Sequence, residues 1–179
     1  MRFISTAIAA AAALVVTTMS ASAAWKEHKF EDLGIVKEFP GDPKRETIEF
    51  KTPVAGTAKA TRLTITDDNI DYALTVVPLQ NKLDVSASIM GECVFMAEDE
   101  GEPLANMTTR IEPGARAVYG RLVSVDLTDN KGRRQTACLF TKGNLYVVQA
   151  TVRPEHGQLN SSQAIRFTNS MSFNMAGEH

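Results

Sequence analysis

Residues 117–152 read AVYGRLVSVDLTDNKGRRQTACLFTKGNLYVVQATV, and this stretch decides the fold. Side chains alternate across a β-strand with period two. Over 117–127 that period places Tyr119, Val123, Val125 and Leu127 on one face. Asp129-Asn130-Lys131-Gly132 then turns and 134–141 returns. Lys142-Gly143-Asn144 turns again, and 145–152 makes a third strand. Three consecutive strands joined by polar turns predict an antiparallel meander.

The same grammar runs upstream. Residues 59–66 alternate, Asp67-Asp68-Asn69 turns, and 71–77 resumes with Tyr72, Leu74 and Val76 on one face, which reads as a hairpin. Phe39-Pro40-Gly41-Asp42-Pro43 is a strong turn between short strands at 33–39 and 47–51, because two prolines fix φ and the glycine permits positive φ. Two segments break the period. Over 83–97, Leu83, Ala87, Met90, Val94 and Ala97 fall at helical spacing, with Asp84 or Ser86 as N-cap. Over 160–171, Ala164, Ile165, Phe167, Thr168 and Met171 form a helical stripe capped by Asn160 or Ser161. The expected class is α+β: a largely antiparallel sheet of about six to eight strands covered by two helices.

The N-terminal segment has a different character. Met1 and Arg2 are followed by an almost continuous apolar run over 3–16, and 16 of the first 23 residues are apolar. Ala21-Ser22-Ala23 supplies the small residues a signal peptidase accepts, which predicts a cleaved signal over 1–23, a cut between Ala23 and Ala24, and a single mature domain over 24–179. A run of 14 residues suits a signal and falls short of the roughly 20 of a membrane span. The expected location is the periplasm. The chain carries 19 Lys+Arg against 21 Asp+Glu, a formal charge of −2, and losing Arg2 leaves 18 against 21. A generic nucleic-acid binder would be clearly basic.

Several fragments occur in a telling order. Phe39-Pro40-Gly41-Asp42-Pro43 follows an opening strand, and Tyr72-Ala73-Leu74-Thr75-Val76-Val77 comes a hairpin later. Tyr119-Gly120-Arg121-Leu122 begins the meander and Asn144-Leu145-Tyr146-Val147-Val148 continues it. Ala164-Ile165-Arg166-Phe167 and Ser170-Met171-Ser172-Phe173 close the chain. This order resembles small exported alphaproteobacterial proteins of unassigned function and, more distantly, the PsbP-like fold, named for an extrinsic subunit of the plant photosystem. The resemblance spans nearly all of residues 30–173. It implies an exported antiparallel sheet flanked by helices, ending on a helix and a short strand. Its motifs are turns, strand cores and a closing helix, so it implies no active-site residues.

The chemistry-bearing residues point the same way. Cys93 and Cys138 are the two cysteines, and two cysteines in one exported domain usually pair. A reduced buried pair and a redox pair are the alternatives, the latter without a Cys-x-x-Cys. His28, His156 and His179 lack zinc-ligand spacing. Asp67–Asp71 starts like a calcium loop but holds Tyr72 and Pro78 where glycine and glutamate are needed. Glu98-Asp99-Glu100-Gly101-Glu102 is an acidic patch that reads as a solvated loop after the first helix, with a weak cation site as alternative. No nucleophile motif or phosphate loop occurs. Basic residues concentrate in the second half, and Arg121 shares its face with Tyr119 and Val123. Arg121 with Tyr119 is the candidate ligand contact, weighed against an Arg121 ion pair. The expected function is a non-catalytic exported domain, with no metal or cofactor, that binds or scaffolds an envelope protein or small ligand. The alternative is a hydrolase using dispersed Asp and Glu.

Overall fold

The computed structural model describes residues 24–54, 56–79, 86–111 and 118–173. Residues 1–23, where a signal is expected, and Leu83, Asp84, Arg116 and His179 lie outside them. Ten strands and two helices are formed among the described residues. In chain order they are β1 (Lys26–Phe30), β2 (Ile35–Phe39), β3 (Lys44–Thr52), β4 (Gly56–Asp67), β5 (Ile70–Pro78), α1 (Ser86–Glu98), β6 (Gly101–Ile111), β7 (Val118–Leu127), β8 (Arg133–Thr141), β9 (Asn144–Val152), α2 (Ser162–Asn169) and β10 (Met171–Phe173). The fold is α+β.

Seven strands form one antiparallel sheet in the order β3-β4-β5-β9-β8-β7-β6, and the meander supplies β7, β8 and β9. Its turns use the residues that tolerate positive φ. Asp68 and Asn69 have φ of 48° and 59° between β4 and β5, and Lys142 and Gly143 have 49° and 72° between β8 and β9. Gly132 is required on two counts: its φ is 110°, and a Cβ there would lie 2.0 Å from the Val152 carbonyl oxygen.

The sequence reading undercounts the strands. β1, β2 and β10 form a separate three-stranded sheet, with β2 in the middle. β6 was read as part of an acidic loop and the chain beyond it, but it is an 11-residue edge strand paired along β7. Its register shifts between Pro103 and Ala105, which breaks the period-two pattern. α1 also runs one residue into the acidic patch, ending at Glu98, and α2 starts at Ser162 with Ser161 accepting the Gln163 N–H as N-cap.

Three layers result. α2 and the small sheet cover one face of the large sheet, burying Leu63, Tyr72, Leu74, Leu139 and Val148. Phe167 of α2 is the keystone there: its ring packs edge-on at 5.1 Å from Phe39 and 4.9 Å from Tyr72, joining α2 to both sheets. α1 covers the other face, where Ile89 and Cys93 pack on Ala60, Val77 and Leu145. Cys93 and Cys138 stand with Cα atoms 6.1 Å apart and their sulfurs at bonding distance, tying α1 to β8. Closing a loop of 45 residues stabilises by about 4 kcal/mol in the chain-entropy account.

Among the described residues the buried polar side chains include one that can carry a charge. Lys37, in the middle strand of the small sheet, is fully buried. Its ammonium donates to the Phe167 carbonyl at the end of α2 and to Ser170 Oγ at 2.8 Å, and lies 4.0 Å above the Phe167 ring. Burial pushes it down from 10.5 to about 7, with the nearby Glu38 carboxylate opposing.

Two outcomes are expected. Between pH 7 and 10.5 the unfolded chain carries a proton on Lys37 that the native chain lacks, so this group makes stability rise with pH across that window. The difference in urea midpoint between the parent and Lys37→Met should therefore move in the parent's favour from pH 7 to pH 10. A difference that stays constant with pH contradicts the buried-lysine account. Thiol labelling under denaturing, non-reducing conditions should find neither Cys93 nor Cys138 free, and reduction should lower stability by about 2–4 kcal/mol. Quantitative labelling of both cysteines contradicts the bond.

Candidate functional site

α1 crosses its face of the sheet on a diagonal. Ile89 and Cys93 lie over the β4–β5–β9 side, whereas Val94 and Ala97 reach Val123 and Val125 of β7. A diagonal helix leaves two opposite corners of that face open.

The larger open corner lies over β3, β4, β5, β9 and β8. There the α1-side residues change from apolar to polar at neighbouring levels of the ladder. In β4 Ala60 gives way to Arg62 and Thr64, and in β5 Val77 gives way to Thr75. In β9 Val147 gives way to Gln149 and Thr151, and in β8 Cys138 gives way to Thr136 and Arg134. The result is a polar floor with α1 as one wall. It carries a cavity of about 350 Å³ against α1, and an adjoining one of about 560 Å³ that shares Arg62, Arg134 and Gln149. A third, of about 420 Å³, continues past Asp71 and Arg153.

Four cations line the first two cavities, and three of them are engaged. Arg134 Nε donates to Thr151 Oγ1 at 2.8 Å and its Nη1 to Glu100 Oε1 at 2.7 Å. Arg153 donates to both Asp71 oxygens at 2.7 and 2.6 Å, and Thr66 Oγ1 donates to Asp71 Oδ1 at 2.6 Å. The Asp71 carboxylate raises the Arg153 guanidinium above its ordinary value. Lys44 Nζ lies 3.5 Å from Glu46 Oε2.

Arg62 is different. It is half-buried, its Nε is buried without a hydrogen-bond partner, and among the described residues no carboxylate pairs with it. Glu46 stands across the β3–β4 ladder from it but is held by Lys44. A second unsatisfied atom, Glu100 Oε2, belongs to a residue lining the same cavity. Buried polar groups are ordinarily satisfied, and the exceptions need an explanation. The acids lining the first two cavities are each held by a cation, Glu100 by Arg134 and Asp71 by Arg153, and Glu46, across the ladder from Arg62, is held by Lys44. The arrangement therefore offers one uncommitted guanidinium, flanking hydroxyls and an amide, and an apolar wall.

The residues singled out by sequence sit at the other corner. Tyr119 is 62% exposed, with the Arg110 guanidinium 5.9 Å from its ring centroid. Arg121 donates to Asn106 and, at 3.5 Å, to Thr108 on β6, and Asn106 donates to Glu98 at 2.6 Å. Its partners are an amide and a hydroxyl rather than the carboxylate expected of a buried arginine. Neither Tyr119 nor Arg121 lines the groove. Of the basic residues noted in the second half, Arg134 and Arg153 converge on it. Arg133 instead pairs with Asp126, holding that carboxyl below its usual range.

The remaining candidates are placed plainly. His28 Nε2 lies 2.9 Å from the Gly41 carbonyl oxygen, and His156 Nε2 lies 3.6 Å from Asp68. Asp67–Asp71 is the β4–β5 hairpin tip, with Asp71 taken by Arg153. Among the described residues no three His, Cys, Asp or Glu side chains gather as a metal site, and no helix is long and apolar enough to cross a membrane.

No protein-family model matches the chain, and no curated protein matches it. Among solved structures it is similar to the solution structure of cyanobacterial PsbP (CyanoP) from Synechocystis sp. PCC 6803. The identity is 12% and the TM-score 0.46, with 89% of this chain and 98% of that chain covered. The groove and its arginine are read from this chain's own residues.

Proposed function

We propose that this protein is an exported, non-catalytic binding domain whose groove beside α1 receives an anionic group, carried by a small ligand or by an envelope component in the periplasm. The observation that carries the reading is Arg62: a half-buried guanidinium without a partner among the described residues, in a groove where Arg134, Arg153 and Lys44 are each engaged. Removing a charge from water is costly unless an opposite charge and hydrogen bonds replace the lost solvation. An incoming anion supplies both. The surrounding Thr75, Thr136 and Gln149 offer further hydrogen bonds without adding charge. The leader-like residues 1–23 support export, and a bond between Cys93 and Cys138 suits an oxidising compartment.

Export is checked by intact mass, with the secreted chain expected to begin at Ala24. A chain in the membrane fraction that retains 1–23 contradicts it. Binding is checked by amide chemical shifts of the exported protein against a mixed set of anionic, neutral and cationic small molecules. The expected hits are anionic and move the Thr75, Gln149 and Thr151 amides, and Arg62→Gln should weaken them by about tenfold or more, the worth of a charge-assisted hydrogen bond. Hits that are mainly neutral or cationic, or that map to the Tyr119 and Arg121 corner, contradict the proposal.

A further inference from the structure

We infer that the groove's ligand is an amphipathic monocarboxylate: a single carboxylate on Arg62, with an apolar body along the wall formed by α1 and the neighbouring strands. This rests on the binding reading above and narrows it to a chemical class. Three observations carry it.

The cavity against α1 is polar at one end and apolar at the other. Arg62, Thr75, Gln149 and Thr136 form the polar part together with the Arg134–Glu100 pair, and Ile48, Phe50, Val147 and Met96 form the apolar part. The apolar character reaches the rim at Met96 of α1, which lines the cavity and is 39% exposed. Apolar surface running from a cavity floor onto its rim suits a ligand with an apolar body rather than a bare inorganic ion. The volume, about 350 Å³, is at the small end of ligand sites.

The charge count at the head is the second observation. One guanidinium is uncommitted, while Glu46 stands across the ladder from it and Glu100 lines the same cavity with Oε2 unpartnered. A single negative charge is neutralised by Arg62. A dianionic phosphate would bring a second charge toward those carboxylates. A cationic head would meet Arg62 itself.

Geometry is the third. A guanidinium presents a planar fork of N–H donors that matches the two oxygens of a carboxylate. Arg134 spends its Nε and Nη1 on Thr151 and Glu100, so the uncommitted fork is that of Arg62.

The test titrates the exported protein with sodium octanoate, octyl phosphate, octylammonium chloride and sodium acetate, each below its aggregation threshold, with amide shifts and calorimetry as readouts. Octanoate should bind saturably, move the Thr75, Val147 and Gln149 amides, and bind more tightly than acetate and octyl phosphate. Arg62→Gln should weaken octanoate about tenfold or more, and Arg62→Lys by less, since a point charge keeps attraction but loses the fork. Met96→Glu, at a partly exposed helix position, should also weaken octanoate, while Arg121→Gln should leave it unchanged. The inference is overturned if octanoate moves no groove amide, if octyl phosphate binds more tightly, or if Arg62→Gln and Met96→Glu both bind octanoate within twofold of the parent. If groove amides answer to octyl phosphate but not to octanoate, the anion-binding reading stands and the monocarboxylate class falls; if they answer to octylammonium alone, both readings fall. If none of the four moves them, both readings fall.

Discussion

One short helix has to cover one face of a seven-stranded sheet, and it cannot. α1 has 13 residues, so it is about 20 Å long and about 10 Å across. Seven strands spaced about 4.8 Å apart span about 29 Å, and nine-residue strands run about 30 Å. The part of the face beyond the helix must therefore be solvated. Each central strand meets that demand by changing the character of its α1-side residues partway along its length, while its other face stays apolar under α2 and the small sheet. The groove is the direct consequence of this mismatch in size.

The opposite face is covered by two elements rather than one. There the small sheet and α2 pack on the central strands, and Phe167, Phe39 and Tyr72 interlock in edge-on contacts. Lys37 fills the remaining polar need in the last turn of α2, donating to the Phe167 carbonyl and to Ser170 Oγ, and burial lowers its amine's affinity for a proton. The contrast is instructive. Lys37 is a buried amine whose hydrogen-bond partners come from the protein, whereas Arg62 is a partly buried cation that the described residues leave unsatisfied. The first reads as architecture and the second as a site.

The hairpins and the meander were legible in the sequence because their turns and their period-two patterns agree: Asp68-Asn69 and Lys142-Gly143 adopt the positive φ their residue types tolerate. α2 was legible from its stripe and cap. β1 and β6 were not, because edge strands pair on one side only and carry polar residues such as Lys26, Glu27, Asn106 and Thr108, and the Pro103 bulge shifts the period. Tyr119 and Arg121 stood out because they open the meander, yet their sheet corner lies on the far side of α1. Arg62 was missed inside a Thr-rich strand. A signal was present: Ala58-Ala60 changes to Arg62-Thr64-Thr66 on one parity, and β5, β8 and β9 make the same change. Recognising that those changes coincide needs the registers between strands, which one-dimensional periodicity does not carry.

Arginine-resolved nitrogen NMR of the protein tests the central claim most directly, by following the Nε–H resonances of Arg62, Arg134 and Arg153 as octanoate is added. The account predicts that the Arg62 resonance shifts saturably and gains protection from solvent exchange, while those of Arg134 and Arg153, already bound to Thr151 and Asp71, move little. An Arg62 resonance that stays unchanged while octanoate binds elsewhere would contradict it.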